Sequence, residues 1–142
     1  MVDTSGTIYV SDFYNDRVQK FSANGSYQSN TRFPGTGRFD DPYAVALDGL
    51  GHLRFCVCDR CVNQPCRKIS SAGVLVKSWG IGLLNGPEDI AIESQGSVYV
   101  ANYFNNRVEK FLGDGTFVAA WSSLGDENGQ LSGPAGVVVD GT

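Results

Sequence analysis

The sequence predicts an all-β fold of repeated antiparallel units, and three observations carry the prediction. Residues 6–21 (GTIYVSDFYNDRVQKF) return as residues 96–111 (GSVYVANYFNNRVEKF), ninety positions on and without a gap. Three proline-led segments, 42–48 (PYAVALD), 87–93 (PEDIAIE) and 134–140 (PAGVVVD), stand 45 and then 47 positions apart, so the true unit is half the longer repeat. Glycine supplies 18 of 142 residues among many aromatic and β-branched ones, which suits short strands and frequent turns. A period near 45 lies in the range of β-propeller blades, each a sheet of four antiparallel strands.

The four strands of a unit follow in order. The first is the apolar run after the proline, Ala44 to Leu47 in the middle unit. The second follows a glycine turn, as Ile8-Tyr9-Val10 and Val98-Tyr99-Val100. The third is Arg17 to Phe21 and Arg107 to Phe111, where Val and Phe alternate with polar residues in the period of a half-buried strand. The fourth follows Asn24-Gly25 or Asp114-Gly115, both hairpin signals, and includes Thr116-Phe117-Val118. No stretch has useful helical periodicity.

The pattern Pro-x-x-(apolar-x-apolar)-Asp-x-x-Gly-x-(Val/Ile)-Tyr-Val-x-Asp-x-x-Asn-x-Arg-(apolar)-x-Lys-Phe-x-x-x-Gly resembles the NHL repeat, a family that builds β-propellers. The resemblance covers nearly the whole chain and is specific in the first and third units. It implies about three blades, half of a six-bladed ring, over one segment 1–142, with units of roughly 1–41, 42–86 and 87–133 and a further first strand in 134–142. Three blades do not close a ring and leave strand edges open. Two completions stay open: further blades in a longer chain, or a homodimer in which Val137-Val138-Val139 completes the partner's N-terminal blade.

Charge narrows the function. Lys plus Arg number 11 against 15 for Asp plus Glu, a formal charge of −4. Some animal NHL proteins bind RNA, but this acidic balance speaks against a nucleic-acid partner. No apolar run approaches the ~20 residues of a membrane helix, and the first ten residues do not read as a signal peptide. The compartment is unassigned. Enzymes occur in the family, among them a peptide-amidating lyase with a zinc site of several histidines. This chain has one, His52. No nucleophile elbow or phosphate loop is present, and the adjacent Asp40 and Asp41 diverge too much for an acid–base pair. The expectation is a non-catalytic binding module without a cofactor. The alternative is a fragment of a propeller lyase or hydrolase whose catalytic residues lie outside this segment.

The middle unit departs from the pattern. Residues 51–69 read GHLRFCVCDRCVNQPCRKI and concentrate all four cysteines, Cys56, Cys58, Cys61 and Cys66. The C-x-C-x2-C-x4-C spacing lacks paired C-x2-C knuckles, so these are weak metal ligands, and no metal is favoured. One or two disulfides in an oxidising compartment form a second reading. A third is that compensating indels rewrote this strand pair, because a shifted frame can encode the missing Val-Tyr-Val-Thr-Asp and Asn-Arg-Val. The nucleotide sequence decides that point.

Two loop sets are candidate binding surfaces for a protein or carbohydrate partner. Between strands two and three lie Asp12 to Asp16 and Asn102 to Asn106, carrying Phe13, Tyr14, Tyr103 and Phe104. Aromatic clusters of this kind favour protein or glycan contact, although Asp and Asn also simply stabilise turns. Between units run residues 33–42, 83–87 and 126–130. The residues after each proline (Tyr43, Glu88, Asp89 and Ala135) should reach the channel mouth, where Glu88 and Asp89 suit a cation or a basic peptide group.

Overall fold

The computed structural model describes residues 1–31, 42–49, 53–57, 65–70 and 74–140, with the backbone alone for 53–57. Eleven strands appear in it: β1 (Ile8–Asp12), β2 (Arg17–Phe21), β3 (Tyr27–Thr31), β4 (Pro42–Leu47), β5 (Leu53–Val57), β6 (Cys66–Ile69), β7 (Leu75–Trp79), β8 (Pro87–Ile92), β9 (Val98–Asn102), β10 (Arg107–Phe111) and β11 (Phe117–Trp121). They form three antiparallel sheets in sequence order, β1-β2-β3, β4-β5-β6-β7 and β8-β9-β10-β11. The third strands fall where alternation places them, at 17–21 and 107–111.

Turn chemistry fixes the hairpins. Gly25 and Gly115 take φ +83° and +87°, and Asn24 Oδ1 and Asp114 Oδ1 accept the N–H groups of Ser26 and Thr116. All three sheets carry a bulge at the same place, after Lys20, Lys68 and Lys110. A bulge inserted at one repeat position strengthens twist there, so the blades share one shape.

The core lies between blades. Inner strands β4 and β8 of the second and third sheets pack against each other. Ala44, Ala46, Trp79, Leu84, Ile90, Val98, Val100 and Phe111 form one buried cluster. Val18 and Ile69 form a second, backed by Tyr9, Val45 and Leu47 from the first two sheets. Each blade therefore buries its apolar face on its neighbour, as repeat architecture requires. These are the blades of a partial β-propeller.

The first blade has only the end of its inner strand, where Val2 bridges Ile8. The expected further strand at 137–139 forms no ladder. A strand needs a neighbour to satisfy its backbone, and no strand among the described residues follows it to supply one. Cys66 is fully buried and disulfide-bonded, and its backbone is paired with Cys56. An oxidised Cys66 is not a thiolate ligand. No group of His, Cys, Asp or Glu suited to a metal occurs among the described residues. His52, Asp40, Asp41, Cys58, Cys61 and the Cys56 side chain lie outside the description, as does most of loop 33–42.

Candidate functional site: the loop end of the blades

In a four-stranded antiparallel blade, the loop between strands two and three and the loop to the next blade emerge at the same end. Backbone bonds join them here: Tyr103 N–H donates to the Gly86 carbonyl at 3.0 Å and Phe104 N–H to the Asn85 carbonyl at 3.1 Å. The two loop sets predicted separately are one surface.

Each second-to-third-strand loop is a short 3-10 turn, Phe13–Asn15 or Tyr103–Asn105. It closes on a residue in the left-handed region, Asp16 (φ 52°) or Asn106 (φ 54°). Asp and Asn tolerate that conformation better than other side chains, which accounts for the residue type at this position. The turn throws two adjacent aromatics in different directions. Phe13 is half-buried, edge-on to both Tyr14 (4.9 Å between centroids) and Tyr43 (4.7 Å). Tyr14 is 87% exposed and Phe104, its counterpart, 63%. Tyr103 is half-buried and packs on Gly133, where an added Cβ would lie 2.8 Å from the ring. The inner face of Phe104 rests on Gly86. Phe13 and Tyr103 therefore anchor the loops, while Tyr14 and Phe104 face solvent.

Polar groups brace the loop stems through a charge exchange between repeats. In the first blade Asp12 Oδ2 accepts from Arg17 Nε at 2.6 Å and from Gln19 Nε2 at 2.7 Å. In the third, Glu109 Oε1 accepts from Arg107 Nε at 2.7 Å and from Asn102 Nδ2 at 2.9 Å. Acid and amide have traded places, leaving one carboxylate for one arginine in each. Asn15 first and Arg17 second hold Asp12 below the usual carboxylate range. Asn102 also accepts from Asn85 N–H and donates to the Leu83 carbonyl, tying down the inter-blade loop.

The post-proline residues sit at bulges. The ladder pairs Pro42 with Val57 and Ala44 with Cys56, skipping Tyr43. It pairs Pro87 with Asn102 and Asp89 with Ala101, skipping Glu88. A bulge re-aims its extra side chain. Tyr43, Glu88, Asp89 and Ala135 line one cavity of about 410 Å³, together with Val10 and Ser11. Tyr43 is 42% exposed, and its carbonyl accepts from Ser11 Oγ at 2.6 Å. Asp89 is engaged, accepting Ile90 N–H and Val137 N–H. Glu88 is half-buried and makes no hydrogen bond or ion pair with the described residues.

Sequence reasoning did not anticipate the contacts of Ser11, Gly86 and Gly133, which join segments distant in the chain. Nor did it find a larger cleft of about 710 Å³ at the opposite end, lined by Asp48, Lys68, Trp79, Gln95 and Asp114. Its residues come from turns and outer strands of two blades, and their only sequence signal was the repeat itself.

The sequence profile of the NHL repeat matches residues 84–111. Residues 84–111 are an NHL repeat, set among the blades of a partial β-propeller. Residues 84–111 hold the inter-blade loop, the bulge at Glu88, the whole of β9 and β10, and the aromatic turn, so the match falls on the segment that builds this surface. No curated protein matches the sequence. Among solved structures, the blades superpose on streptogramin B lyase with a TM-score of 0.65 at 16% identity, covering 85% of this chain and 38% of that one. Kuenenia stuttgartiensis hydrazine synthase gives 0.68 at 18%, covering 94% and 36%. Catalytically inactive virginiamycin B lyase from Staphylococcus aureus, with quinupristin, gives 0.66 at 14%, covering 95% and 41%. The chain thus spans less than half the length of each. At such identities the likeness is one of fold.

Proposed function

We propose that these NHL blades form a non-catalytic binding module whose loop end receives a protein or glycan partner. The observation that carries the reading is the double bulge: Tyr43 and Glu88 leave their ladders and line one cavity, and Tyr14 and Phe104 stand exposed on the loops of the same end. Aromatic faces supply contact area at low entropic cost, and a carboxylate without a partner among the described residues supplies direction. A basic, aromatic-rich peptide segment suits this surface best. The test is an array of peptides and glycans probed with the purified protein and with a Tyr43→Ala/Glu88→Gln variant. Saturable binding that falls at least tenfold in the variant is expected; equal binding by both would sink the proposal.

A second reading is favoured by the likeness to streptogramin B lyase and virginiamycin B lyase, of which this chain spans 38% and 41%. Here the same blades are part of a propeller lyase or hydrolase whose catalytic groups lie elsewhere. It expects turnover of a propeller-lyase substrate only when further blades are joined to these.

A further inference from the structure

We propose that the cleft between the second and third blades, at the end opposite the aromatic loops, binds a neutral saccharide. The cleft measures about 710 Å³, within the roughly 300–1,000 Å³ of small-molecule sites. Asp48, Lys68, Lys77 and Trp79 line it from the second blade, and Gln95 and Asp114 from turns of the third. Both blades are four-stranded. The other blades carry a tyrosine at this place. Tyr9 and Tyr99 pair with Lys20 and Lys110 across the ladder, each ring lies under its lysine, and each hydroxyl donates to an acid, Asp3 or Glu93. In the second blade the residue paired with Lys68 is Arg54. No aromatic ring occupies that register position, and the ion pair of Asp48 with Lys68 lines the cleft.

Trp79 and the charges select the ligand. The Trp79 side chain lines the cleft and is 6% exposed, and its buried Nε1–H meets no acceptor among the described residues. A buried indole N–H ordinarily has a partner. The side chain is held in place by the third blade, since a Cβ on Gly115 would lie 2.8 Å from it. Its donor therefore calls for an acceptor oxygen. Neither sign of charge prevails among the described lining residues, where Asp48 and Asp114 balance Lys68 and Lys77. The Thr116 N–H chiefly, and more weakly the charge of Lys77 on the other blade, holds Asp114 below the usual carboxylate range. An added anion meets two carboxylates, and an added cation meets two ammonium groups. A sugar hydroxyl avoids both penalties, because it accepts from ammonium and indole N–H and donates to carboxylate. Gln95, exposed at the rim, offers a donor and an acceptor in one amide. This site is separate from the loop-end surface and does not rest on the function proposed for it.

The experiment is an array of neutral, sialylated and sulfated oligosaccharides, probed with the wild-type chain, with Lys77→Ala/Gln95→Ala and with the loop-end variant Tyr43→Ala/Glu88→Gln. Lys77 and Gln95 are exposed, so their replacement spares the core, and a thermal melt checks this. Binding to neutral members is expected, weaker by about tenfold or more in the cleft variant and unchanged in the loop-end variant. In a Trp121→Phe background Trp79 is the sole tryptophan, and its emission should shift as the bound oligosaccharide saturates. The proposal is overturned if no neutral oligosaccharide binds, if only charged ones do, if the loop-end variant rather than the cleft variant loses binding, or if Trp79 emission stays constant through saturation.

Discussion

Glu109 is the most exacting residue of the molecule: a carboxylate with no exposed surface, held through one oxygen by Arg107 and Asn102. Asn102→Asp would set a second carboxylate against it. The expected loss is about 3 kcal/mol, the scale of an uncompensated buried charge. The double variant Asn102→Asp/Glu109→Gln recreates the first-blade set of Asp12 and Gln19 and should recover to within about 1 kcal/mol of wild type. Urea denaturation of the two single variants and the double would measure the coupling; additive effects would refute the exchange.

Three carboxylates outside the core are stabilised as anions. Ser5 chiefly holds Asp3 below the usual range, Ser97 and then Tyr99 hold Glu93 there, and the Thr116 N–H holds Asp114. Lowered folded-state values mean that the unfolded chain binds protons more readily. Stability from these groups is complete above the ordinary carboxylate range and is lost as pH falls through the folded values. Lys110, raised first by the Tyr99 hydroxyl, has the opposite sign: its contribution holds below the ordinary lysine value and disappears as pH rises through the folded one. Denaturation midpoints should be level between about pH 5 and 9 and fall below about pH 4. A midpoint that stayed level into strong acid would contradict this account.

At the scale of elements, the loops depend on glycines that accept aromatic rings. Gly86 has φ +62° and lies under Phe104; Gly133 has φ +59° and lies against Tyr103. Alanine at 86 brings both left-handed strain and overlap with the ring, so Gly86→Ala should cost about 2–4 kcal/mol. Tyr14→Ala, at an exposed tip, should cost less than about 0.5 kcal/mol. Thermal melts of the two variants distinguish a loop built on ring–glycine packing from one held by its backbone alone. The disulfide at Cys66 acts on the same scale. Reduction should lower the melting temperature, because a cross-link restricts the unfolded chain. An unchanged melt after verified reduction would remove any stabilising role.

On the scale of the whole molecule, stability resides in interfaces between blades. The two buried clusters each span neighbouring sheets, so among the described residues no blade has a core of its own. Val18→Ala removes apolar contact from the smaller cluster and should cost about 2–3 kcal/mol. Because Val18 lies where Ile69 and Val45 of the next blade meet it, the loss should appear in the melting of both blades. Hydrogen exchange would resolve this. Loss of protection confined to β1–β3 would show that the first blade is held independently.

Much of this architecture was legible before any fold was known. Alternation in Arg107-Val108-Glu109-Lys110-Phe111 specified a third strand, and Asp114-Gly115 its following hairpin, because both signals are local to the backbone. The 45-residue period specified blades, since a unit that cannot bury its own face must stack on copies of itself. Their position after proline marked Tyr43 and Glu88 as candidates together, and both line one cavity. What local pattern does not encode is distance between blades. The bulges that turn Tyr43 and Glu88 into one cavity, the glycine seats of Phe104 and Tyr103, and the opposite-end cleft all depend on how one sheet lies on the next. The absence of a ladder at 137–139 has the same origin: its sequence is that of a strand, yet a strand forms only where another backbone meets it. Local periodicity therefore determined which residues make strands and turns, and the tertiary structure alone decided which of them meet, because burial and pairing are relations between segments far apart in the chain.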